Sequence, residues 1–268
     1  MTRLYYERGP VKIYHGDAME FFSDIEDGIA DAVICDPPYS SGGMFRGDRM
    51  IDSRTKYVST GAAHSTQGFS GDNRDQRSYL AWCSFWMCAA THATKPGGLL
   101  AVFTDWRQLP ITTDAIQSGG WVWRGVATWQ KINARPVLGR YTNQCEFIVW
   151  GTNGPRDATE GTCTKGWIVS GSPSNQEREH ITQKPVEVME WLLGPVPKGG
   201  MILDPFCGSG TTLLAAIRTG MNGIGCELEE RYCEIGARRC DRELDQGRLP
   251  FAPPEPAPVQ REMFRETD

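Results

Sequence analysis

Apolar and polar positions divide the chain into short apolar runs separated by segments of helical period. Residues 11–15 (VKIYH) alternate and predict a short strand ending at Gly16-Asp17. Residues 18–26 predict a helix. Residues 32–35 form a compact apolar strand that stops at Asp36-Pro37-Pro38-Tyr39, where two prolines forbid its continuation. A helix over 78–94 follows, closed by Lys95-Pro96-Gly97-Gly98, then a strand over 99–103 and a helix over 111–118. Strands over 122–130 and 145–150 are placed to pair as neighbours. Beyond them come a helix over 185–193 with Pro185 in its first turn, a strand over 201–203, a helix over 211–219, a strand over 223–226 and a last helix over 229–244. Strands alternating with helices predict an α/β fold, a mostly parallel sheet flanked by helices. Two stretches, 40–77 and 151–179, are polar, rich in Gly and Ser and without period. They predict long loops, which compact domains keep for function. The organisation expected is one domain over 1–245 and a proline-rich, disordered tail over 246–268.

Composition changes this picture in three ways. The net charge of −5 over 268 residues argues against a protein that coats nucleic acid non-specifically, but it hides a local asymmetry. Arg124, Lys131, Arg135 and Arg140 lie in a stretch with no acid, while the acids gather toward the C-terminus. No apolar run is long enough to span a membrane and no signal-peptide stretch opens the chain, so a cytoplasmic protein with no membrane contact is expected. The nine cysteines form no Cys-x-x-Cys pair and are odd in number, so they read as small, mostly buried thiols, with no metal site or disulfide framework expected.

Two motifs carry chemistry. In the strand–turn–helix over 201–219, Gly208, Ser209 and Gly210 let the backbone pass close to a ligand, and Thr211-Thr212 open a helix whose free amides favour an anionic group. Glu227 follows the next strand, 19 residues after Gly208, the spacing at which a Rossmann-type unit sets an acid on ribose hydroxyls. A phosphate loop is disfavoured, because Gly210 is followed by Thr-Thr rather than Lys-Ser/Thr. A dinucleotide fingerprint fits poorly, because Leu213 stands where its third glycine belongs. An adenosyl ligand bearing a carboxylate suits the loop better. The second motif, Asp36-Pro37-Pro38-Tyr39, ends a buried strand, where open α/β sheets keep their sites. Asp36 and the proline carbonyls offer acceptors, and Tyr39 offers an aromatic face. That set can hold both hydrogens of an exocyclic amine, localise its lone pair, and stack the ring that carries it.

Together these motifs resemble the amino-methyltransferases of DNA: D-P-P-Y is similar to their catalytic motif and D-P-F-C-G-S-G-T-T to their cofactor motif. The order, catalytic motif first, resembles the circularly permuted β class. Gly16-Asp17, Trp129-Gln-Lys131, the stretch from Arg140 through Asn143 to Glu146, and His180-Ile-Thr182-Gln-Lys184-Pro185 resemble further segments of that family. The resemblance implies a Rossmann-like, seven-stranded mixed sheet in order 3-2-1-4-5-7-6, strand 7 antiparallel. Residues 11–15 would be strand 3 and residues 223–226 strand 2. It implies methyl transfer from S-adenosylmethionine to the amine of a base extruded from DNA. The target expected is adenine N6, with cytosine N4 as the alternative. It carries over Asp36, Pro37, Pro38 and Tyr39 as base-holding residues. As cofactor residues it carries over Asp17, Thr182, Lys184, Pro185, Asp204, Pro205, Phe206, Gly208, Ser209, Gly210, Thr211, Thr212 and Glu227. Asp17 as a plain helix cap and Lys184 as a solvated lysine are the competing readings.

DNA is the expected partner. Arg46, Lys131, Arg135, Arg140 and Asn143 are the candidates for meeting it, with the loops at 40–77 and 151–179 facing it. Trp106 and Trp129, near strand ends, are candidates for lining the pocket. A homodimer is compatible with the sequence, and Gln260-Arg-Glu-Met263-Phe264 resembles a short peptide that binds the bacterial sliding clamp. A non-catalytic adenosyl- or DNA-binding module, and a methyltransferase acting on RNA or on a protein amide, are the other classes the motifs leave open.

Overall fold

In the computed structural model, residues 1–39, 74–134, 136, 138–139, 141–157, 162–171 and 183–246 are described. They form, in chain order, β1 (Arg3–Arg8), β2 (Val11–His15), α1 (Ala18–Asp24), β3 (Ala30–Cys35), α2 (Gln76–Ala93), β4 (Thr94–Thr104), α3 (Leu109–Ser118) and β5 (Val122–Lys131). Then come β6 (Cys145–Thr152), β7 (Trp167–Ser170), α4 (Val186–Leu193), β8 (Met201–Asp204), α5 (Thr211–Thr219), β9 (Asn222–Glu227) and α6 (Glu230–Asp245). Every strand and helix expected from the periodicity is present, with ends displaced by a few residues. Pro185 stands one position earlier than expected, as the cap before α4.

The sheet has nine strands in the order β1-β2-β9-β8-β3-β4-β6-β5-β7. The expectation of seven is therefore corrected: β1 and β7 are added at the two edges. β1 pairs antiparallel with β2, and its tyrosines reach α6, Tyr5 to Glu234 at 3.0 Å and Tyr6 to Asp241 at 2.9 Å. β7 lies parallel to β5, inside the stretch 151–179 that the sequence marked as loop. Its four residues are mostly exposed or half-buried, too short and too wet to show a period. β6 runs antiparallel to both of its neighbours, β4 and β5.

The central strands are buried on both faces, which is why they read as continuous apolar runs. On β3 the side chains alternate. Val33 and Cys35 join a cluster with Tyr79, Trp86 and Met87 of α2. Ala32 and Ile34 join the opposite cluster with Val188, Met189 and Leu193 of α4. The connections from β3 and β8 diverge. β3 leads through α2 to β4 on one side, and β8 leads through α5 to β9 on the other. The carboxyl ends of β3 and β8, hydrogen-bonded neighbours, thus form the crevice at which α/β sheets bind ligands.

Candidate active site

The crevice brings together the two motifs that are 168 residues apart in sequence, Asp36 beyond β3 and Asp204 at the end of β8. On the β8 side, the turn is held by buried carboxylates. Asp204 Oδ1 accepts from the Phe206 amide at 3.0 Å, and Oδ2 accepts from the Thr212 hydroxyl at 2.5 Å. Burial pushes its pKa up to about 7. Asp204 therefore braces the loop, with both oxygens committed to it. Glu227, at the end of β9, accepts from the Gly208 amide at 2.9 Å and the Glu229 amide at 2.8 Å, and burial raises it to about 7 as well.

Gly208 and Gly210 both have left-handed backbone, φ +50° and +79°. A Cβ on Gly210 would meet the Gly236 backbone of α6 at 3.2 Å, whereas one on Gly208 would meet nothing within 4 Å among the described residues. A cradle with that opening, ahead of a helix without a side-chain N-cap, fits a ligand that lies against the backbone. The next strand ends add Glu227 and, through the β2–β9 pairing, Asp17. Asp17 does cap α1, accepting from the Met19 amide at 2.8 Å. Phe206 packs between Trp82 and Trp86 of α2, each ring 5.3 Å away. Ser209, Thr211 and Thr212 are buried.

Sequence reasoning missed the residue that fixes this loop from behind. Arg239 of α6, 7% exposed, donates from Nη1 to the Ser209 carbonyl at 2.6 Å, the Ser209 hydroxyl at 2.9 Å and the Thr211 hydroxyl at 3.2 Å. Its signal was available: an arginine on the stripe that carries Cys233, Gly236 and Cys240.

On the β3 side, Pro37 is buried and Tyr39 half-buried. Asp36 Oδ2 accepts from Lys184 Nζ at 2.5 Å. Asp36 Oδ1 is buried with no hydrogen-bond partner among the described residues. Lys184 is 6% exposed, so the reading of a solvated lysine is corrected. Its ammonium also lies 3.4 Å from Glu146 Oε2 and over the rings of Phe103 and Tyr39. Glu146, just inside β6, bonds Lys131 at the end of β5. Burial opposes every charge here, and the outcome depends on how many partners each has. Lys184, between two carboxylates, is raised. Glu146, between two ammoniums, is lowered. Asp36, with a single cation in contact, is raised by burial. Lys184 thus joins the Asp36-Pro37-Pro38-Tyr39 turn. Lys131, a candidate for meeting DNA, pairs with Glu146, a partner the sequence did not point to.

Of the other expected DNA residues, Asn143 is exposed, while Arg46, Arg135 and Arg140 lie outside the described residues, as do Thr182, most of 40–77 and 246–268, and the segment 260–264. Trp129 is not pocket lining but core, 2% exposed, donating to the Ser170 carbonyl at 3.2 Å. Trp106 is 53% exposed beyond β4. Six of the nine cysteines are buried and two, Cys88 and Cys163, are exposed. No helix among the described residues is long and apolar enough to cross a membrane.

A family model for DNA methylases of the N6/N4 methyltransferase type matches residues 30–238, from the start of β3 into α6. The chain belongs to the N6/N4 DNA methylase family. Among curated relatives, this DNA methylase is 28% identical to the type II methyltransferase M2.DpnII of Streptococcus pneumoniae, covering 91% of this chain and 94% of that protein. It is 25% identical to the type II methyltransferase M.ScaI of Streptomyces caespitosus, covering 91% and 85%. Among solved structures, it matches the PvuII DNA methyltransferase (cytosine-N4-specific) at TM-score 0.68 and 15% identity, covering 91% and 93%. The M1.HpyAVI–SAM complex matches at TM-score 0.61 and 24% identity, covering 85% and 98%. These two share the fold: an α/β methyltransferase architecture with a mixed sheet.

Proposed function

We propose that this DNA methylase transfers a methyl group from S-adenosylmethionine to the N6 amine of an adenine extruded from the duplex. The observation that supports it best is the buried Asp36 Oδ1, without a hydrogen-bond partner among the described residues, on the strand end next to the open glycine cradle. An amine hydrogen is the donor that such an acceptor lacks, and leaving it unpaired carries a cost of about 1–3 kcal/mol. The inner strands β2-β9-β8-β3-β4-β6-β5 read as the permuted seven-strand core, with β6 as the antiparallel strand.

The roles follow from position. Gly208 and Gly210 let the cofactor's methionine part approach the backbone, and Glu227 and Asp17 stand where ribose and adenine would meet them. When bound, S-adenosylmethionine supplies the electrophilic methyl on its sulfonium. Asp36 Oδ1 accepts one amine hydrogen and the Pro37 carbonyl accepts the other. Pro38 stiffens the turn, and Tyr39 stacks on the base, a contact worth about 1–3 kcal/mol. Adenine is favoured over cytosine by the leading Asp of the motif, which resembles the adenine enzymes. The type II relatives favour a role in modification of specific DNA sites. The loops at 40–77 and 151–179, with Asn143, Arg46, Arg135 and Arg140, would face the DNA.

Labelled methyl transfer to duplex DNA, followed by nucleoside chromatography, tests this. N6-methyladenine is expected, and it should vanish in Asp36→Ala. N4-methylcytosine instead would overturn the choice of base. Label in RNA or protein but not DNA, or full transfer by Asp36→Ala, would overturn the mechanism.

A further inference from the structure

The sheet order sets β3, β4, β6 and β5 side by side, and the Asp36 end of that row carries four interleaved charges. Asp36 and Glu146 share Lys184, at 2.5 and 3.4 Å, and Glu146 is in turn bonded by Lys131. The set is balanced, two carboxylates against two ammoniums. Among the described residues, Asp36 Oδ1 and Glu146 Oε2 are the buried oxygens of the set without a hydrogen-bond partner, and Glu146 Oε2 still lies 3.4 Å from the Lys184 ammonium, whereas Asp36 Oδ1 has no cation in contact. Among the described residues neither Glu146 nor Lys131 is hydrogen-bonded or ion-paired to Asp36; Glu146 reaches the one cation that is, and Lys131 reaches Glu146. A carboxylate that attracts Lys184 away from Asp36 strengthens Asp36 as an acceptor, and a second lysine on that carboxylate weakens the pull.

We propose that Glu146 and Lys131 are positioning residues, setting through Lys184 how much positive charge reaches Asp36 and so how strong an acceptor its free oxygen is. This rests on the catalytic reading of Asp36 but concerns the protein without DNA or cofactor. The other groups around Asp36 do not substitute for this pair. Asp204 on β8 faces it with its oxygens committed to Phe206 and Thr212. Asp105, after β4, caps the turn of Arg107 and Gln108 and faces Glu146. Burial keeps the Cys35 thiol neutral. Tyr39 presents its ring to Lys184.

The signs are opposite for the two residues, which a merely structural role would not produce. Glu146→Gln removes the competing anion and leaves Lys184 to Asp36 alone, so the Asp36 carboxyl should titrate lower. Lys131→Met strips Glu146 of one cation and draws Lys184 toward it, so Asp36 should titrate higher. Each shift is expected to be about half to one pH unit. Carboxyl 13C NMR of the full-length protein labelled at aspartate, with Asp36 assigned through Asp36→Asn, reads both without any need for activity. Lys131→Arg should restore the wild-type midpoint. In the same variants, the acid limb of the kcat profile for labelled transfer should move with the NMR midpoint, at little change in the KM for DNA. Shifts of the same sign, or none, in variants whose melting shows them folded would overturn the proposal. So would a Lys131→Met whose only effect is a higher KM for DNA with a shallower salt dependence, because that marks a phosphate contact. An inactive wild-type protein showing the opposed NMR shifts would overturn the methyl-transfer reading and leave the coupling standing.

Discussion

Gly208 and Gly210 are two residues apart in the same turn, and alanine at the two positions should separate binding from stability. Both have positive φ, so either alanine costs about 1–2 kcal/mol for a left-handed L-residue. At Gly208 nothing among the described residues lies within 4 Å of the new methyl, so the cost ends there. At Gly210 the methyl would lie 3.2 Å from the Gly236 Cα, a helix backbone that cannot rotate away. Overpacking of that kind adds about 1–3 kcal/mol. Gly210→Ala should therefore be the less stable variant, by about 2 kcal/mol in urea denaturation. Cofactor binding should rank the other way. The Gly208 methyl would occupy the space against which the cofactor is proposed to lie, and displacing it by even a fraction of an ångström forfeits contacts. A loss of at least tenfold in S-adenosylmethionine affinity, about 1.4 kcal/mol, is expected by calorimetry. Wild-type affinity in Gly208→Ala would refute the reasoning, since it would show that the open space is not where the ligand sits.

Three further outcomes are expected. Arg239→Met should destabilise the fold by about 2–4 kcal/mol, as charged hydrogen bonds to Ser209 and Thr211 are lost, and should raise the cofactor Kd, with Arg239→Lys intermediate; an unchanged Kd would show that the loop holds itself. Burial pushes Glu227 up to about 7, and in the proposed role its anion would accept ribose hydroxyls better than the acid does, so cofactor affinity should tighten as pH rises from 6 to 8 and this dependence should disappear in Glu227→Gln. Asp204, raised to about 7 from an ordinary value near 3.8, binds its proton more tightly in the folded state. Its favourable contribution is therefore complete only below about pH 4 and is lost as pH rises through 7, so urea denaturation should show Asp204→Asn removing part of the decline in stability between pH 5 and 8.

Much of this could be read from the sequence because the relevant signals are local. A β-strand buried on both faces, closed by Asp-Pro-Pro, announces its own end, and a strand–glycine–helix unit announces its turn. The edge strands could not be read this way. β1 carries charges at both ends, and its tyrosines acquire meaning only against Glu234 and Asp241 of α6. β7 is four residues long and takes its strand conformation from β5.

The charged cluster was hidden for a different reason, which lies in strand direction. The usual search for a site in a parallel sheet examines residues that follow strands, and this finds Asp36 after β3 and Lys131 at the end of β5. β6 runs the opposite way, so its beginning, not its end, lies at the same edge. Glu146, its second residue, pairs in register with Trp129 and thereby comes beside Lys131. A carboxylate that opens a strand looks like an ordinary solvated residue until the strand is known to be antiparallel. Lys131 in turn looks like a phosphate contact until the carboxylate is known to be there. Lys184 completes the row from 148 residues beyond Asp36, a separation that no spacing rule reports. The reversed direction of β6 is thus what converts two isolated basic residues and two isolated acids into one coupled set, and it is the reason a change at residue 131 or 146 should be felt at the oxygen of residue 36.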